Sequence, residues 1–361
     1  MVYYFYIAFW VSVSQLVPKS ILGTKHISFC YLWLMFALMA TVVFLEPLTG
    51  DMELYLKVLD TNSNLNWFGA ITNVRWEPGF VSYQWLLAQI TTSHVVFIGI
   101  SMFVMWALLI IALKKVVAVK YLPLIMFGYL SLFSFYNFSM NVVRQGFAAP
   151  LIILMLVYLG NNKYRKAILI FLTALIFHQS SIIAGPLLVI KRFNLSVRFL
   201  CVIFVVSSLL MITGLNQRLM SDVAVVFGGG LGDAVVSYSS EAILSRYGSA
   251  NRLDFLVFTS TWILWGLWFR SRYLSSDEFY TWLLKCYIAL SSVYILFGFI
   301  GYSDRLAAYA WFLIPILMFY PAIKMLSKYR KHWILVCMII CVVLFIYFNV
   351  FLLYEPLKLF Y

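Results

Sequence analysis

The chain has 361 residues, of which 64% are hydrophobic and only 11% charged, with a net charge of +13; a soluble chain carries about 25% charge. Mean hydropathy is +0.95, and apolar stretches recur from end to end. This excludes a soluble enzyme, a nucleic-acid-binding domain and a disordered chain. It leaves an all-α, polytopic transmembrane helical protein, in which each span needs about 20 apolar residues.

Apolar runs fall near 2–17, 27–45, 93–113, 121–139, 146–160, 167–190, 199–215, 253–269, 279–300, 306–323 and 333–354. The first run has neither a basic leader nor a small-residue cleavage site, and is expected to be a retained span rather than a signal peptide. Basic clusters lie between many of the runs: Lys19 and Lys25; Lys114, Lys115 and Lys120; Lys163, Arg165 and Lys166; Lys191, Arg192 and Arg198; Arg270 and Arg272; Lys324, Lys328, Arg330 and Lys331. The positive-inside rule places them in the cytoplasm, which accounts for the positive net charge without nucleic acid as a partner.

Run 167–190 has basic clusters on both sides but is too short for two spans. A broken pair of half-length helices fits, 167–178 and 181–190, turning at Phe177-His178-Gln179-Ser180-Ser181. A membrane tolerates such irregular backbone only where protein or a water-filled cavity surrounds it. The expected total is then about 12 membrane helices with both termini outside. One ordinary span here is the alternative; it inverts every later loop and puts Arg270, Arg272 and the 324–331 cluster outside.

The expected organisation is a single integral membrane domain over 1–361. It carries two outside loops, 46–92 with an interfacial helix in the half-apolar stretch at 80–90, and 216–252. Of the acidic residues, Glu46, Asp51, Glu53, Asp60 and Glu77 fall in the first loop, and Asp222, Asp233 and Glu241 in the second, with Asp254 just after it. Asp304 and Glu355 are also outside, while Asp277 and Glu278 fall on the basic side. The inner connections are too short for a nucleotide-binding domain. Cys30, Cys201, Cys286, Cys337 and Cys341 all lie in apolar runs, so neither a disulfide framework nor a metal site is indicated.

The candidate chemistry crowds the outer face. Asp51 lies just beyond a span, and Glu77 precedes a Pro-Gly turn; two carboxylates in one loop can supply a general base and a positioning group. Solvated loop acids are the alternative. Arg144 stands at the outer end of an otherwise apolar helix, with Gln145 after it. A guanidinium costs about 2.5–3.5 kcal/mol at the bilayer centre, so it faces a cavity or an anion, or snorkels to the interface. Its planar fork suits phosphate. His178, at the turn of the broken pair, can act as acid or base or donate to a phosphate; a packing histidine is the alternative. Asp304 and Arg305 open a span after a short outside turn, either as an ion pair or with Arg305 in the same cavity as Arg144. The run Gly228-Gly229-Gly230-Leu231-Gly232 has no following Lys-Ser/Thr and reads as a hinge rather than a phosphate loop. Arg246 in the second loop could touch sugar or phosphate, or be solvated.

Five pieces, in this order, resemble the EpsG family of Wzy-type bacterial polysaccharide polymerases. They are Gly50-Asp51 with Tyr55; Glu77-Pro78-Gly79-Phe80; Arg144-Gln145 with Ala148; Phe177-His178 with Ser180 and Ser181; and Asp304-Arg305 with Tyr309. The resemblance covers about 27–325. It implies a glycosyltransferase of GT-C-like architecture in the bacterial inner membrane, with the active site facing the periplasm. That enzyme polymerises undecaprenyl-diphosphate-linked oligosaccharides into O-antigen or a related surface polysaccharide. Beyond membrane lipid, a chain-length regulator is a candidate partner, and no cofactor is required. Asp51, Glu77 and His178 become the expected catalytic residues; Arg144, Gln145, Arg305, Tyr55, Arg75 and Arg246 the expected diphosphate- and substrate-binding residues. A glycan ligase, a secondary transporter and a membrane acyltransferase are the rival readings. Single repeat units in a deletion strain would separate a polymerase from a ligase.

Overall fold

A computed structural model describes residues 25–45, 50–227, 235–247 and 250–348. The expected first span at 2–17, Glu46, the glycine run 228–232, Asp233 and Glu355 lie outside the described residues, as does the Arg246 side chain. The described residues are helical, with no strand among them.

The helices are α1 Lys25–Leu45, α2 Asp51–Asn62, α3 Trp67–Asn73, α4 Pro78–Ala88, α5 His94–Leu113, α6 Leu122–Leu130, α7 Phe133–Met140, α8 Val143–Gly160 and α9 Tyr164–Phe177. There follow α10 Pro186–Arg192, α11 Val197–Ile212, α12 Leu215–Phe227, α13 Glu241–Tyr247, α14 Leu253–Arg272, α15 Glu278–Leu296, α16 Ser303–Trp311, α17 Ile314–Lys324 and α18 Ser327–Ile346. The chain divides into two compact units. The first is Met1–Ile182 with Leu326–Phe345, and the second is Ile183–Met325 with Ile346–Tyr361.

This is a membrane protein. Among the described residues, five helical stretches are long and apolar enough to cross a bilayer: His94–Leu113, Val143–Gly160, Glu278–Leu296, Ser303–Lys324 and Ser327–Ile346. Two bent pairs raise the number to seven if each is one span. The surface agrees. On α11, Phe199, Val202, Val205, Val206, Leu209 and Ile212 are all exposed. At roughly 1.5–3 kcal/mol per large apolar side chain, leaving them in water would cost on the order of 10 kcal/mol, as much as a typical domain's whole stability. Lipid removes that cost.

Run 121–139 is interrupted: Val119–Leu130 and Ser134–Met140 meet at 87°. Run 199–215 ends at Ile212; Gly214 takes φ +73°, and the chain leaves along α12 at 104°. Run 167–190 is interrupted at His178, which has extended φ −157° and ψ 116°. A 3-10 turn, Gln179–Ala184, follows, and α10 opens with Pro186 in its first turn, where the absent N–H leaves no bond unmade.

In the first unit, α8 is the central helix. Almost every residue from Val143 to Leu159 is buried, and its most extensive neighbours are α9 and α5. The stretch 50–92 carries three helices: α2 and α3 pack on α4, and α4 packs on α9. In the second unit, α15 takes the central place, packed on α11, α14 and α16.

Candidate active site

Glu77 is the residue before a proline, so its backbone is held extended, at φ −63° and ψ 135°. That makes it the N-cap of α4, yet its side chain does not cap the helix. The carboxylate reaches two other helices instead. Oε2 accepts from Arg144 Nη1 at 2.7 Å, and Oε1 stands 2.9 Å from His178 Nδ1 and accepts the Gln179 backbone N–H at 2.9 Å. The Glu77 side chain is only 9% exposed, Arg144 17% and His178 14%.

Each partner is placed by its own local structure. Arg144 sits in the first turn of α8, where the helix dipole disfavours a cation; the Glu77 carboxylate offsets that. Its Nε donates to Tyr55 Oη at 3.2 Å, and the guanidinium lies over the Trp76 ring at 5.4 Å and the Tyr55 ring at 5.9 Å. These contacts hold the fork in one plane, and the two hydrogen bonds use two of its five donors. His178 follows the last residue of α9, and its N–H closes the helix on Ala174 at 2.9 Å.

Gly79 makes the approach of α4 to α9 feasible. A Cβ there would stand 2.6 Å from the Ile176 carbonyl oxygen. Phe80, Phe147, Phe177 and Tyr83 fill the space beneath with edge-on ring contacts.

Burial works to raise the Glu77 pKa, but the His178 hydrogen bond, the charges of His178 and Arg144 and the Gln179 amide outweigh it and hold the carboxyl at about 2. At neutral pH the group is therefore an ionised, acceptor-only carboxylate. It follows that His178 Nδ1 carries a proton, and that in the neutral ring the lone pair is on Nε2.

Asp51 opens α2, and its backbone N–H donates to Asn141 Oδ1 at 2.8 Å. Gly50 is at φ +61°, and a Cβ on it would meet the same Asn141 oxygen at 2.6 Å. Asp51 and Tyr55 are four residues apart and share one face of α2. The side chain of Asp51 is half-buried, and that of Tyr55 is buried.

The EpsG family model matches residues 26–360. The chain belongs to the EpsG family. This is a family of Wzy-type polysaccharide polymerase-like proteins. No curated protein and no solved structure matches the sequence significantly.

Pieces of the EpsG resemblance that are far apart in sequence thus gather in the first unit: Asp51 and Tyr55, Glu77 to Phe80, Arg144 and Gln145, and Phe177 and His178. Gln145 is fully buried beside Arg144. Arg75 is exposed and has no hydrogen-bond or ion-pair partner among the described residues. Arg305 belongs to the second unit, where its guanidinium lies 4.8 Å from the Tyr302 ring. Tyr302 itself is left-handed, at φ +60°. Arg246 lies on α13. Among the described residues no three His, Cys, Asp or Glu side chains are grouped to hold a metal.

Sequence reasoning missed Trp76 and Asn141. Trp76 stands between Arg75 and Glu77, and a lone aromatic beside a singled-out carboxylate was the available signal. Asn141 is three residues before Arg144, one helical turn at most, and a polar side chain at the mouth of an apolar helix was the hint.

Proposed function

We propose that this chain is an oligosaccharide repeat-unit polymerase. It takes a growing glycan from undecaprenyl diphosphate and transfers it to a new lipid-linked repeat unit, building O-antigen or a related surface polysaccharide. The work is done at the periplasmic face of the bacterial inner membrane. The observation that carries this reading is the buried cluster of Arg144, Glu77 and His178 in a chain of the EpsG family. A fixed guanidinium beside an activated histidine suits a reaction whose leaving group is a diphosphate.

The reaction is a displacement at the anomeric carbon. The bond from that carbon to the diphosphate oxygen breaks, a bond to the acceptor hydroxyl oxygen forms, and the hydroxyl proton passes to a base. The diphosphate departs on its lipid. Arg144 donates to it through the N–H groups not bound to Glu77 and Tyr55, most strongly as charge develops in the transition state. Arg305 is a second diphosphate-binding residue, and Gln145, Tyr55, Arg75 and Arg246 complete the substrate-binding set. Glu77, strongly acidic and bound through both oxygens, is a weak base; it positions Arg144 and His178. Asp51 is the base, with His178 Nε2 assisting.

The topology that goes with this reading has about 12 membrane helices in a GT-C-like arrangement, including the half-length pair around His178. In it 46–92 and 216–252 face the periplasm, and a chain-length regulator is a candidate partner.

The test is polymerisation in vitro: purified protein, a single lipid-linked repeat unit, and gel analysis of the product. A ladder from the parent and none from Arg144→Ala supports the proposal. A parent that never passes one repeat unit, or an Arg144→Ala protein with an unchanged ladder, overturns it.

A further inference from the structure

Arg144 and Arg305 share a local design. Each lies in the first turn of a helix, where the macrodipole disfavours a cation, and each holds its guanidinium against an aromatic ring. For Arg144 the rings are Trp76 and Tyr55. For Arg305 the ring is Tyr302, whose centre is 4.8 Å from the guanidinium carbon. The face of an aromatic ring carries partial negative charge and attracts a cation.

Tyr302 is the residue before α16, and its carbonyl accepts the Arg305 backbone N–H at 2.9 Å. Its backbone is left-handed, at φ +60° and ψ 30°. Glycine or asparagine takes that conformation easily, whereas a bulky side chain is strained in it. A turn that needed only this backbone would be better served by glycine. The side chain at 302 therefore offsets its strain with something glycine lacks, and the ring against Arg305 is the contact that does so.

Strain of this kind persists only where the surroundings fix the residue, and the segment 216–251 of the same unit does this from both sides of the turn. The Gly301 N–H donates to the Tyr238 carbonyl at 2.8 Å, and the Asn251 N–H donates to the Gly298 carbonyl at 2.8 Å. The fit at Gly301 is close: a Cβ there would stand 2.5 Å from Ile243 Cγ2. Asn216 and Asn251 exchange two amide hydrogen bonds, at 2.8 and 3.1 Å, which close the segment at its base. Tyr238 also sets its ring edge-on to Tyr302, with 6.3 Å between centres. The segment thus reaches Arg305 through one side chain.

We propose that Tyr302 is a positioning residue for Arg305: its ring, held by the segment 216–251, fixes the direction in which the guanidinium meets a diphosphate. This rests on the reading of Arg305 as a diphosphate-binding residue. Such a coupling does not require either side chain to lack other contacts. Its effect is pre-organisation. A guanidinium fork that is already aligned loses less freedom when the anion arrives than one that must first be ordered.

The experiment measures binding of undecaprenyl diphosphate by the full chain in detergent, with the melting temperature of each variant alongside. Arg305→Ala should weaken binding. Tyr302→Gly, which suits the left-handed backbone but lacks the ring, should weaken it roughly 3- to 30-fold with the melting temperature held. Tyr302→Phe should keep the parental affinity. The double variant, Tyr302→Gly with Arg305→Ala, should bind no more weakly than Arg305→Ala alone, because the ring acts through the guanidinium. Tyr302→Asn, also at ease in a left-handed turn, takes the place of Tyr302→Gly if that variant fails to fold. Parental affinity in Tyr302→Gly beside an impaired Arg305→Ala overturns the proposal and leaves Arg305 in its role. So does a double variant whose loss is the product of the two single losses, and so does a Tyr302→Phe protein as weak as Tyr302→Gly. Parental affinity in Arg305→Ala removes Arg305 from the donor site and overturns the proposal with it, while the polymerase reading is still decided by the product ladder.

Discussion

Glu77 and His178, 101 residues apart in the chain, meet at 2.9 Å. The contact joins the start of α4 to the end of α9, and the second oxygen of the same carboxylate extends it to α8 through Arg144. One side chain therefore sets the geometry of both a cation and an imidazole. Replacing it should affect both at once. Glu77→Gln keeps the shape but presents only one acceptor oxygen, so Arg144 and His178 cannot both be held. Breaking a buried ion pair in this way costs about 3–5 kcal/mol. A lower melting temperature in detergent, together with lost polymer, is expected; an unchanged melt would show that the cluster is not held by Glu77.

The same carboxylate gives a pH signature. Its pKa in the folded chain, about 2, is below the ordinary carboxylate value of 4.5. A depressed pKa contributes stability that is complete above the ordinary value and is lost as pH falls through the folded one. The contribution, on the order of 3 kcal/mol, should thus be constant from pH 8 to about 5 and shrink between 4.5 and 2. Melting the parent and Glu77→Gln side by side tests this. The gap between them should narrow only below pH 5; a gap that closes between pH 8 and 6 would show that the Glu77 carboxylate is not its source.

Gly79→Ala probes the approach of α4 to α9. The added Cβ would stand 2.6 Å from the Ile176 carbonyl oxygen, a backbone atom that cannot swing away. Overpacking of this kind costs about 1–3 kcal/mol, and the displaced segment leads directly into His178. Gly99→Ala is the control: its nearest neighbour would be the tip of Phe44 at 3.6 Å, an ordinary contact, and alanine is the better helix former by up to about 1 kcal/mol. Melting temperature and polymer length should fall for the first and hold or rise for the second.

How far this was legible beforehand differs by element. The membrane class follows from composition, and the interruption at His178 was visible because a polar His-Gln-Ser-Ser stretch lies within an otherwise apolar run. The pairing of Glu77 with His178 and Arg144 was not visible, since contacts between distant segments leave no local periodicity to read. Helices α2 and α3 were hidden within the expected loop 46–92. They are short, and asparagine-rich and Pro-Gly punctuation bounds them, so no window reaches the length of a span. The bend at Gly214 carried a usable signal, a glycine at the end of an apolar run, which hydropathy alone passes over. Trp76 looked like any other interfacial aromatic in a chain rich in them; only the placement of Arg144 over its ring sets it apart.

Sidedness can be checked by cysteine labelling from outside the cell, in a background without the five native cysteines. Exposed positions Asn64 and Ser240 should label, and exposed positions Lys166 and Arg192 should not. Protection of both Lys166 and Arg192 means that the chain enters and returns around His178. Labelling of Arg192 with protection of Lys166 would mean that the segment crosses once, and the half-helix pair would be abandoned.

The assignment of the base is the most exposed prediction. Asp51→Asn keeps size and hydrogen bonding but removes the proton acceptor. Diphosphate contacts lie with the arginines, so donor binding should be retained while transfer falls by roughly 10²–10⁴-fold, the range of general acid–base catalysis. His178→Ala should reduce transfer less, since it also leaves Glu77 paired with Arg144. Arg144→Lys should recover only part of the parental rate, because an ammonium cannot donate in the same fork to Glu77 and Tyr55. Turnover and donor binding measured side by side separate these roles. A near-normal rate in Asp51→Asn with a dead His178→Ala would move the base to Nε2, the atom that the Glu77 contact at Nδ1 leaves with the lone pair.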